Sequence, residues 1–348
     1  MFRKIKLAVY FCSKLLGLFA LARYFSKSKI RILCYHGGSI GDEYKFGGKL
    51  FITRRTFEKR ISWLQRSGYP LVSLDDALAC AGDVRNPVND VTTLTFDDGW
   101  FSTYSELFPV LFEKHIPSTL YLSTKYFQDG LPIIPVTVRY LVWKAGLKQV
   151  KIPGFPPEMN DTYDLKDPQA RNHLIENAIS WLSQRKNAGE DLVAALGDLS
   201  SYLGISPAEL DLGSRRFGYM TAEELWDSSK KQCSVQLHGH VHAYPAGKPE
   251  VLKNDLIKCK SVIAALQLPE PQHYCYPSGN HDDAATMVLH SLGVKSATTC
   301  RPGLTSLGKA KTYHYLPRFL DGEDVHMLEF EAEMSGFTDI LRRMANRR

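Results

Sequence analysis

The stretch VTTLTFDDG, residues Val91 to Gly99, decides the fold of this chain. Its first part, Val91 to Thr95, is mostly β-branched, which is typical of a buried strand. Two adjacent carboxylates, Asp97 and Asp98, come at its end. Burying an unpaired carboxylate is so unfavourable that such acids are usually paired or bound to a metal. The alternative is a strand that ends in an Asp-Asp-Gly turn with both acids in water.

Strand-like stretches alternate with helical patterns on both sides of this one. The other predicted strands are residues 31–36, 69–74, 116–123, 233–240, 272–279, 294–300 and 315–320. Strands that alternate with helices form parallel sheets with the helices outside. The pattern therefore predicts an α/β fold, a distorted and incomplete (β/α) barrel of about seven parallel strands, rather than an open doubly wound sheet.

Residues 124–217 interrupt this alternation. They contain helical patterns at 173–186 and 190–204 and a Gly/Pro-rich link at 151–162. We interpret the stretch as a helical insertion between two strands of the sheet. An insertion at this place is expected to form one wall of a cleft or a lid.

The basic excess of the chain lies at its N terminus. The net charge of the 348 residues is +6, and residues 1–31 contain eight Lys and Arg but no acid. This leaves 35 of the 43 basic residues against all 37 acids, and a body without basic excess argues against nucleic-acid binding. The predicted organisation is an N-terminal segment over 1–30, one folded domain over 31–335 and a basic tail over 336–348.

Residues 1–25 are apolar with basic flanks and are predicted to contact a membrane surface. Lys14 interrupts the apolar run, so no stretch without charge reaches the ~18 residues that a spanning helix requires. On a helix, Arg3, Lys6 and Lys14 share one narrow stripe, which we expect to meet anionic lipid. The alternatives are a signal peptide cleaved near Ala20–Ala22 and a helix that packs on the body.

The seven cysteines are scattered and odd in number. No CxxC pair occurs, so the spacing supports neither a zinc ribbon nor a disulfide framework. This usage favours a reducing compartment. Together with the N-terminal segment, it favours the cytoplasmic face of a membrane over secretion.

A histidine cluster follows the predicted strand at 233–240. His238 and His242 are four residues apart, with His240 between them. The outer two share a face of a helical turn, and all three share a face of an extended segment. Two imidazoles and one carboxylate suit zinc, cobalt or nickel and leave a coordination position open, as a catalytic site requires. The alternative is a polar loop with solvated histidines.

The acids and the histidines are expected to meet. The carboxyl ends of parallel strands lie at one rim of a barrel, which brings Asp97 and Asp98 towards the histidine cluster. His36 and Pro277 follow other predicted strands and emerge at the same rim. Polar residues after several strands at one rim predict an active site.

The chain resembles the NodB-homology polysaccharide deacetylases, carbohydrate esterase family 4. The sequence TFDD, Thr95 to Asp98, is similar to the family's first motif, in which the first Asp is the base and the second binds the metal. The resemblance implies that Asp97 is the catalytic base and Asp98 a metal ligand. The spacing of His238 and His242 is similar to the second motif, which implies that both bind the metal.

The start of the domain resembles one branch of that family. The sequence ILCYHG, Ile32 to Gly37, is similar to the branch whose general-acid histidine follows the first strand, which implies that His36 is the acid. The implied activity is a metal-dependent hydrolase that removes N-acetyl groups from a bacterial polysaccharide or a lipid-linked saccharide. The implied cofactor is one divalent ion, zinc first and cobalt or nickel as alternatives.

The third motif departs from the family pattern. The family has Arg-x-Pro-Tyr, whose Arg pairs with the base, whereas this chain has Cys275 to Ser278, CYPS. Arg318 or Arg301 is predicted to replace the missing charge, and Tyr276, Pro277 and Arg318 are assigned to the substrate site. The backbone N–H of Tyr276 is also predicted to stabilise an oxyanion. The missing Arg favours a catalytically impaired glycan-binding module as one alternative, and the HxHxH spacing favours another metallo-hydrolase.

Overall fold

The computed structural model of the chain describes residues 2–80, 89–152, 162–306 and 313–345. Its strands are β1 (Arg31–Tyr35), β2 (Gly37–Gly38), β3 (Phe51–Ile52), β4 (Thr92–Asp98), β5 (Ser118–Leu122), β6 (Gln149–Lys151), β7 (Thr162–Asp164), β8 (Cys233–Leu237), β9 (His273–Cys275), β10 (Ser296–Thr298) and β11 (Phe319–Leu320). Seven of these strands form one sheet in the order β10-β9-β8-β5-β4-β1-β11, and every pair in it is parallel. The sheet curls into a half-barrel surrounded by helices, which confirms the predicted fold class.

The helices lie mainly outside this sheet. They are α1 (Phe2–Leu15), α2 (Leu18–Ser26), α3 (Glu43–Phe46), α4 (Arg54–Arg66), α5 (Leu74–Cys80), α6 (Phe108–Glu113), α7 (Thr124–Asp129), α8 (Ile134–Ala145), α9 (Pro168–Asn187), α10 (Leu192–Tyr202), α11 (Pro207–Leu210), α12 (Ala222–Lys230), α13 (Pro249–Ala265), α14 (Ala284–Ser291), α15 (Met327–Met334) and α16 (Phe337–Ala345). Pro109 lies in the first turn of α6, and a π-helical turn, Thr103–Leu107, precedes that helix.

The opening stretch of the sequence forms the centre of the sheet. All seven residues of β4 are buried, and β4 pairs with β1 on one side and with β5 on the other. Phe96 lies opposite Tyr35, and Asp98 lies opposite Leu122. The β-branched run is therefore covered on both faces and both edges, as its composition predicts.

One segment reaches both edges of the sheet. Leu316 forms a parallel bridge with Thr298 of β10, and four residues later β11 pairs with Leu33 and Cys34 of β1. Arg318 lies between these two contacts and is buried. The segment thus places an arginine inside the curl of the sheet.

The predicted strand at 69–74 is wrong. Leu71 forms only a single bridge, with Thr92, and α5 begins at Leu74. The reason lies in β4, whose neighbouring edge is occupied by β5 from Thr95 onward. Three residues of β4, Thr92 to Leu94, precede that pairing, and Leu71 bridges only the first of them.

The insertion lies between β5 and β8, which pair directly with each other. It contains α7 to α11 and the antiparallel pair of β6 and β7. Its helices share a hydrophobic cluster of their own, which reaches the barrel through Phe51 and Trp100. Most of the predicted link at 151–162 lies outside the described residues, which resume at Thr162.

The N-terminal helices pack on α15 and α16, and two lysines of their basic stripe pair with acids of α15. Lys6 Nζ lies 2.8 Å from Glu329 Oε1, and Lys14 pairs with Glu331, while both lysine side chains stay about half exposed. The stripe therefore contacts acids of the chain itself, and its contact with anionic lipid stays a prediction. Among the described helices, none is long and apolar enough to cross a membrane alone; α1 and α2 meet that criterion only as a pair bent by 77°. Most of the predicted basic tail forms α16.

Candidate metal centre

Three predicted ligands converge at the carboxyl rim of the sheet. Asp98 ends β4, His238 follows β8, and His242 comes four residues later. The Nε2 atoms of His238 and His242 lie 3.2 and 3.1 Å from the same oxygen, Asp98 Oδ1. One candidate ligand atom from each residue lies within 4.8 Å of the other two. Asp98 and His238 are buried, whereas the His242 side chain is 36% exposed, so the group is reachable from one side.

The chemistry of this group fits a divalent cation. Asp98 Oδ1 is buried and has no hydrogen-bond partner among the described residues. His238 Nδ1 lies 2.8 Å from the carbonyl oxygen of Cys275, which can only accept, so Nδ1 carries the proton and Nε2 offers its lone pair towards Asp98. Burial raises the pKa of Asp98, but the charge and hydrogen bonds of the two imidazoles in their protonated form outweigh this and hold its pKa well below the usual value. An ionised carboxylate and two imidazoles are a typical ligand set for zinc.

The backbone at the end of β4 is strained where it presents Asp98. Asp98 has φ 74° and Gly99 has φ 88°. A Cβ on Gly99 would lie 2.5 Å from Leu122 Cδ1, so glycine is required for close approach as well as for the turn. Strain at a non-glycine residue of this kind concentrates at functional sites.

An acid that the sequence analysis missed holds the histidine loop. Asp255 of α13 accepts hydrogen bonds from the backbone N–H groups of His240 (2.7 Å) and Val241 (3.1 Å). Gly239, at φ 78°, lets the loop pass Asp255, because a Cβ there would lie 2.9 Å from Asp255 Oδ2. The His240 ring contacts Thr124 Oγ1 at 3.0 Å instead of Asp98. Asp255 lies within α13, and no local sequence pattern distinguishes it from a surface acid.

Asp97 is bound by a buried arginine. Its two carboxylate oxygens each accept a hydrogen bond of 2.7 Å from the Arg318 guanidinium, which also donates to Thr95 Oγ1. Burial raises the pKa of Asp97, but the charge of Arg318 outweighs it and holds that pKa below its ordinary value. Of the two arginines considered, Arg318 is therefore the one beside the acid, and Arg301 is exposed. Arg318 is only 1% exposed, and its guanidinium is bound to Asp97. Its assignment to the substrate site stays a prediction.

Two thiols complete the surroundings of Asp97. The Sγ atoms of Cys34 and Cys275 lie 3.5 and 3.6 Å from Asp97 Oδ2. Burial raises the pKa of both thiols well above the ordinary value, so both are neutral donors. The sequence predicts buried cysteines in these strands, but their contact with the acid depends on strand order.

His36 lies on the other side of Asp97. Its Nε2 is 3.9 Å from Asp97 Oδ2, and its Nδ1 has no hydrogen-bond partner among the described residues. The ring centroid lies 5.8 Å from that of Trp100, which belongs to the cluster shared with the insertion. Burial lowers the pKa of His36, and the charge of Asp97 opposes that shift.

The backbone N–H of Tyr276, in the third motif, is not free to bind an oxyanion. The N–H of Tyr276 donates to the carbonyl oxygen of Thr298 at 3.1 Å, within the sheet. The prediction that this N–H stabilises an oxyanion is therefore wrong, because the pairing of β9 with β10 uses it. Tyr276 and Pro277 are both buried, and the Tyr276 ring packs against Tyr315.

Sequence comparison gives one short match. No family model matches the chain. The protein YxkH of Bacillus subtilis (strain 168), whose name describes a polysaccharide deacetylase, is 26% identical to this chain over 98 residues. These residues are 28% of this chain and 33% of YxkH, so the chain spans about a third of the length of that relative.

Solved structures match over a much larger part of the chain. The Streptococcus pyogenes deacetylase PplD, in complex with acetate, has a TM-score of 0.58 and 15% identity over 88% of this chain and 99% of PplD. IcaB from Ammonifex degensii has a TM-score of 0.54 and 18% identity, over 88% of this chain and 97% of IcaB. BC0361, a polysaccharide deacetylase from Bacillus cereus, has a TM-score of 0.52 and 17% identity, over 88% of this chain and 69% of BC0361. Motifs and structure agree, and the chain has the fold of the polysaccharide deacetylases.

Proposed function

We propose that this chain is a metal-dependent carbohydrate N-deacetylase, a hydrolase that releases acetate from an N-acetylated glycan. The observation that carries the proposal is the convergence of Asp98, His238 and His242 next to Asp97, a carboxylate held by a buried arginine. This group lies at the rim of a fold that polysaccharide deacetylases share. Acetate, the acid that such a reaction releases, is bound in PplD.

Asp98, His238 and His242 would hold one divalent cation, with zinc first and cobalt or nickel as alternatives. Such an ion polarises an amide carbonyl and lowers the pKa of water. The hydrogen bond from His238 to Cys275 keeps the imidazole in the tautomer that a ligand needs. Asp255 keeps the loop of His242 in place through its two backbone contacts.

Asp97 is proposed as the general base. Asp97 is ionised at neutral pH, and its carboxylate is the group that would accept a proton from water. Arg318, Cys34 and Cys275 fix the orientation of its carboxylate through their contacts with both oxygens. Arg318 is bound to Asp97 and leaves the ligands of the cation untouched, which separates the base from the ligand group.

His36 is proposed as the general acid. Its ring lies 3.9 Å from Asp97 and within the same rim, so one substrate amide could contact both. The carboxylate of Asp97 favours the protonated imidazole against the effect of burial. A protonated His36 would give its proton to the leaving amine when the C–N bond breaks.

The ion pair of Arg318 and Asp97 also weighs against the glycan-binding alternative. That alternative was favoured by the missing Arg of the third motif, and Arg318 supplies the same charge from the segment just before β11. The alternative that the chain is another kind of metallo-hydrolase is decided by the experiment below. A bacterial polysaccharide and a lipid-linked saccharide are both retained as substrate classes.

The proposal is tested by acetate release from a panel of N-acetylated glycans. Chelator-treated protein is expected to lose the activity and to regain it with zinc, cobalt or nickel. Asp97→Asn is the matched control, because it should keep the metal while losing turnover. Protein that binds glycan and a full equivalent of metal but releases no acetate would support the binding module. Release of another product would support a different hydrolase.

A further inference from the structure

The N-terminal helices expose an apolar face. Nine large apolar side chains on or between α1 and α2 are 37% to 75% exposed: Ile5, Val9, Phe11, Leu15, Leu16, Leu18, Leu21, Tyr24 and Phe25. On α1, Ile5 and Val9 fall within about 40° of each other at 3.6 residues per turn. Soluble proteins rarely expose so many neighbouring apolar groups without a binding function.

The polarity of α1 is the reverse of that of an ordinary surface helix, which buries its apolar side. Lys6 and Lys14 pair with Glu329 and Glu331 of α15. Tyr10 is buried against Phe19 and Phe337, with ring centroids 6.4 and 6.0 Å away. Rotating α1 to hide its apolar side would break these ion pairs and the aromatic cluster. The contacts of α15 therefore hold the apolar face outward.

The charge of the segment indicates what covers this face. Residues 1–31 contain eight basic residues and no acid. Six of the eight pair with acids elsewhere in the chain, and Lys4 and Lys27 have no ion pair among the described residues. Lys4 and Lys27 are exposed on the same helical segment, and Lys27 Nζ lies 5.0 Å from the centroid of the Tyr24 ring. Anionic lipid head groups complement such a rim, and lipid tails accept the apolar side chains. A second copy of the chain would instead bring two basic segments together.

The apolar face continues onto the C-terminal helix. α16 packs on α2, and its residues Leu341 and Met344 are 41% and 61% exposed. Arg343 is exposed beside them and pairs with Asp339 through its Nε at 3.0 Å. An exposed set of apolar and basic side chains therefore extends over three helices.

We propose that α1, α2 and α16 dock the protein on the surface of a bilayer that contains anionic lipid, without spanning it. Apolar side chains enter the interface, while Lys4, Lys27 and Arg343 meet head groups. The docking does not depend on the proposed activity. That this surface is the cytoplasmic face of a membrane stays a prediction from the sequence.

The test is co-sedimentation of the full chain with vesicles, either phosphatidylcholine alone or phosphatidylcholine with phosphatidylglycerol. The chain is expected to bind the anionic vesicles about tenfold more tightly than the neutral ones, and less tightly as salt rises. The double variant Leu16→Asp and Leu21→Asp should lose most of this binding. Both positions are exposed, so the fold should persist.

The matched control is Met287→Asp on α14, where the side chain is 73% exposed on a distant helix. This variant should bind vesicles like the unaltered chain. The proposal fails if the full chain binds neither vesicle, or if the double variant binds as well as the control. It also fails if sedimentation velocity finds a dimer that the double variant abolishes, or if the protein isolated from cells begins after Ala22.

Discussion

The two neighbouring acids of β4 have opposite surroundings. Both oxygens of Asp97 accept hydrogen bonds from Arg318, and two thiols approach one of them. Asp98 Oδ1 has no hydrogen-bond partner within the described part of the chain and faces two imidazole nitrogens. One acid has its partners within the fold, and the other is left for a ligand.

This difference teaches how adjacent residues carry separate roles. A carboxylate with a buried guanidinium is held in one orientation and stays charged. A buried carboxylate oxygen without a hydrogen bond is unfavourable until a cation or a proton reaches it. The left-handed backbone at Asp98 turns it out of the strand geometry that Asp97 keeps. Substitutions that affect the two acids differently test this division.

The largest effect is expected for Asp98→Asn. The variant removes the anionic ligand while preserving the size of the side chain. Supporting residues around a metal typically change its affinity by about 10- to 100-fold, so loss of a ligand should exceed 100-fold. Isothermal titration with zinc measures the affinity, and acetate release should disappear with it. A variant that binds zinc as tightly as the unaltered chain would contradict the ligand role.

Asp97→Asn should separate turnover from metal binding. Loss of a general base lowers the rate about 10²- to 10⁴-fold. The metal content should stay near one equivalent, because Asp97 is bound to Arg318 and not to the two histidines that face Asp98. His242→Ala is the comparison and should lose both metal and activity. Equal metal loss in the two variants would refute the separation of roles.

Arg318→Met should mainly affect stability. Removing one partner of a buried ion pair costs about 3–5 kcal/mol, because Asp97 is left buried and charged without a partner. Urea denaturation measures the loss, and Arg318→Lys, which keeps the charge, should restore part of it. Arg301→Lys is the control at an exposed arginine and should change little. A variant as stable as the control would show that the pair contributes little.

The smallest effect is expected for a carboxylate far from both acids of β4. Asp42 accepts hydrogen bonds of 2.8 Å from Tyr140, Lys144 and Arg216, which join it to the insertion. Burial raises the pKa of Asp42, but these partners together lower that pKa below its ordinary value of 3.8. The stabilisation is thus fully present above pH 3.8 and declines as the pH falls towards the lower pKa of the folded state.

Asp42→Asn should therefore lower the free energy of unfolding by about 2 kcal/mol at pH 7. The loss should be smaller near pH 2, where the unfolded-state carboxyl is protonated in the unaltered chain. Metal content and acetate release per folded molecule should not change. A loss that is equal at both pH values would mean that charge is not the cause.

Much of the fold could be predicted because it depends on local pattern. A β-branched run ending in two acids is recognisable as a strand, and alternation with helices predicts a parallel sheet. Partners distant in sequence decided two other features. The stretch at 69–74 forms only a bridge to Thr92, because β5 pairs with that edge of β4 from Thr95 onward. Lys6 and Lys14 pair with acids of α15. The helical period places the stripe on one face, but it does not say which face is inward.

The site divides in the same way. The sequence alone determined the acid pair, the spacing of the two histidines and their place after strands, because each is a property of a few consecutive residues. Only the tertiary structure decided that Arg318, 221 positions from Asp97, is its partner, and that Asp255 holds the histidine loop. Such contacts follow from strand order and helix packing, which bring distant residues together through burial of the whole core and not through any local pattern.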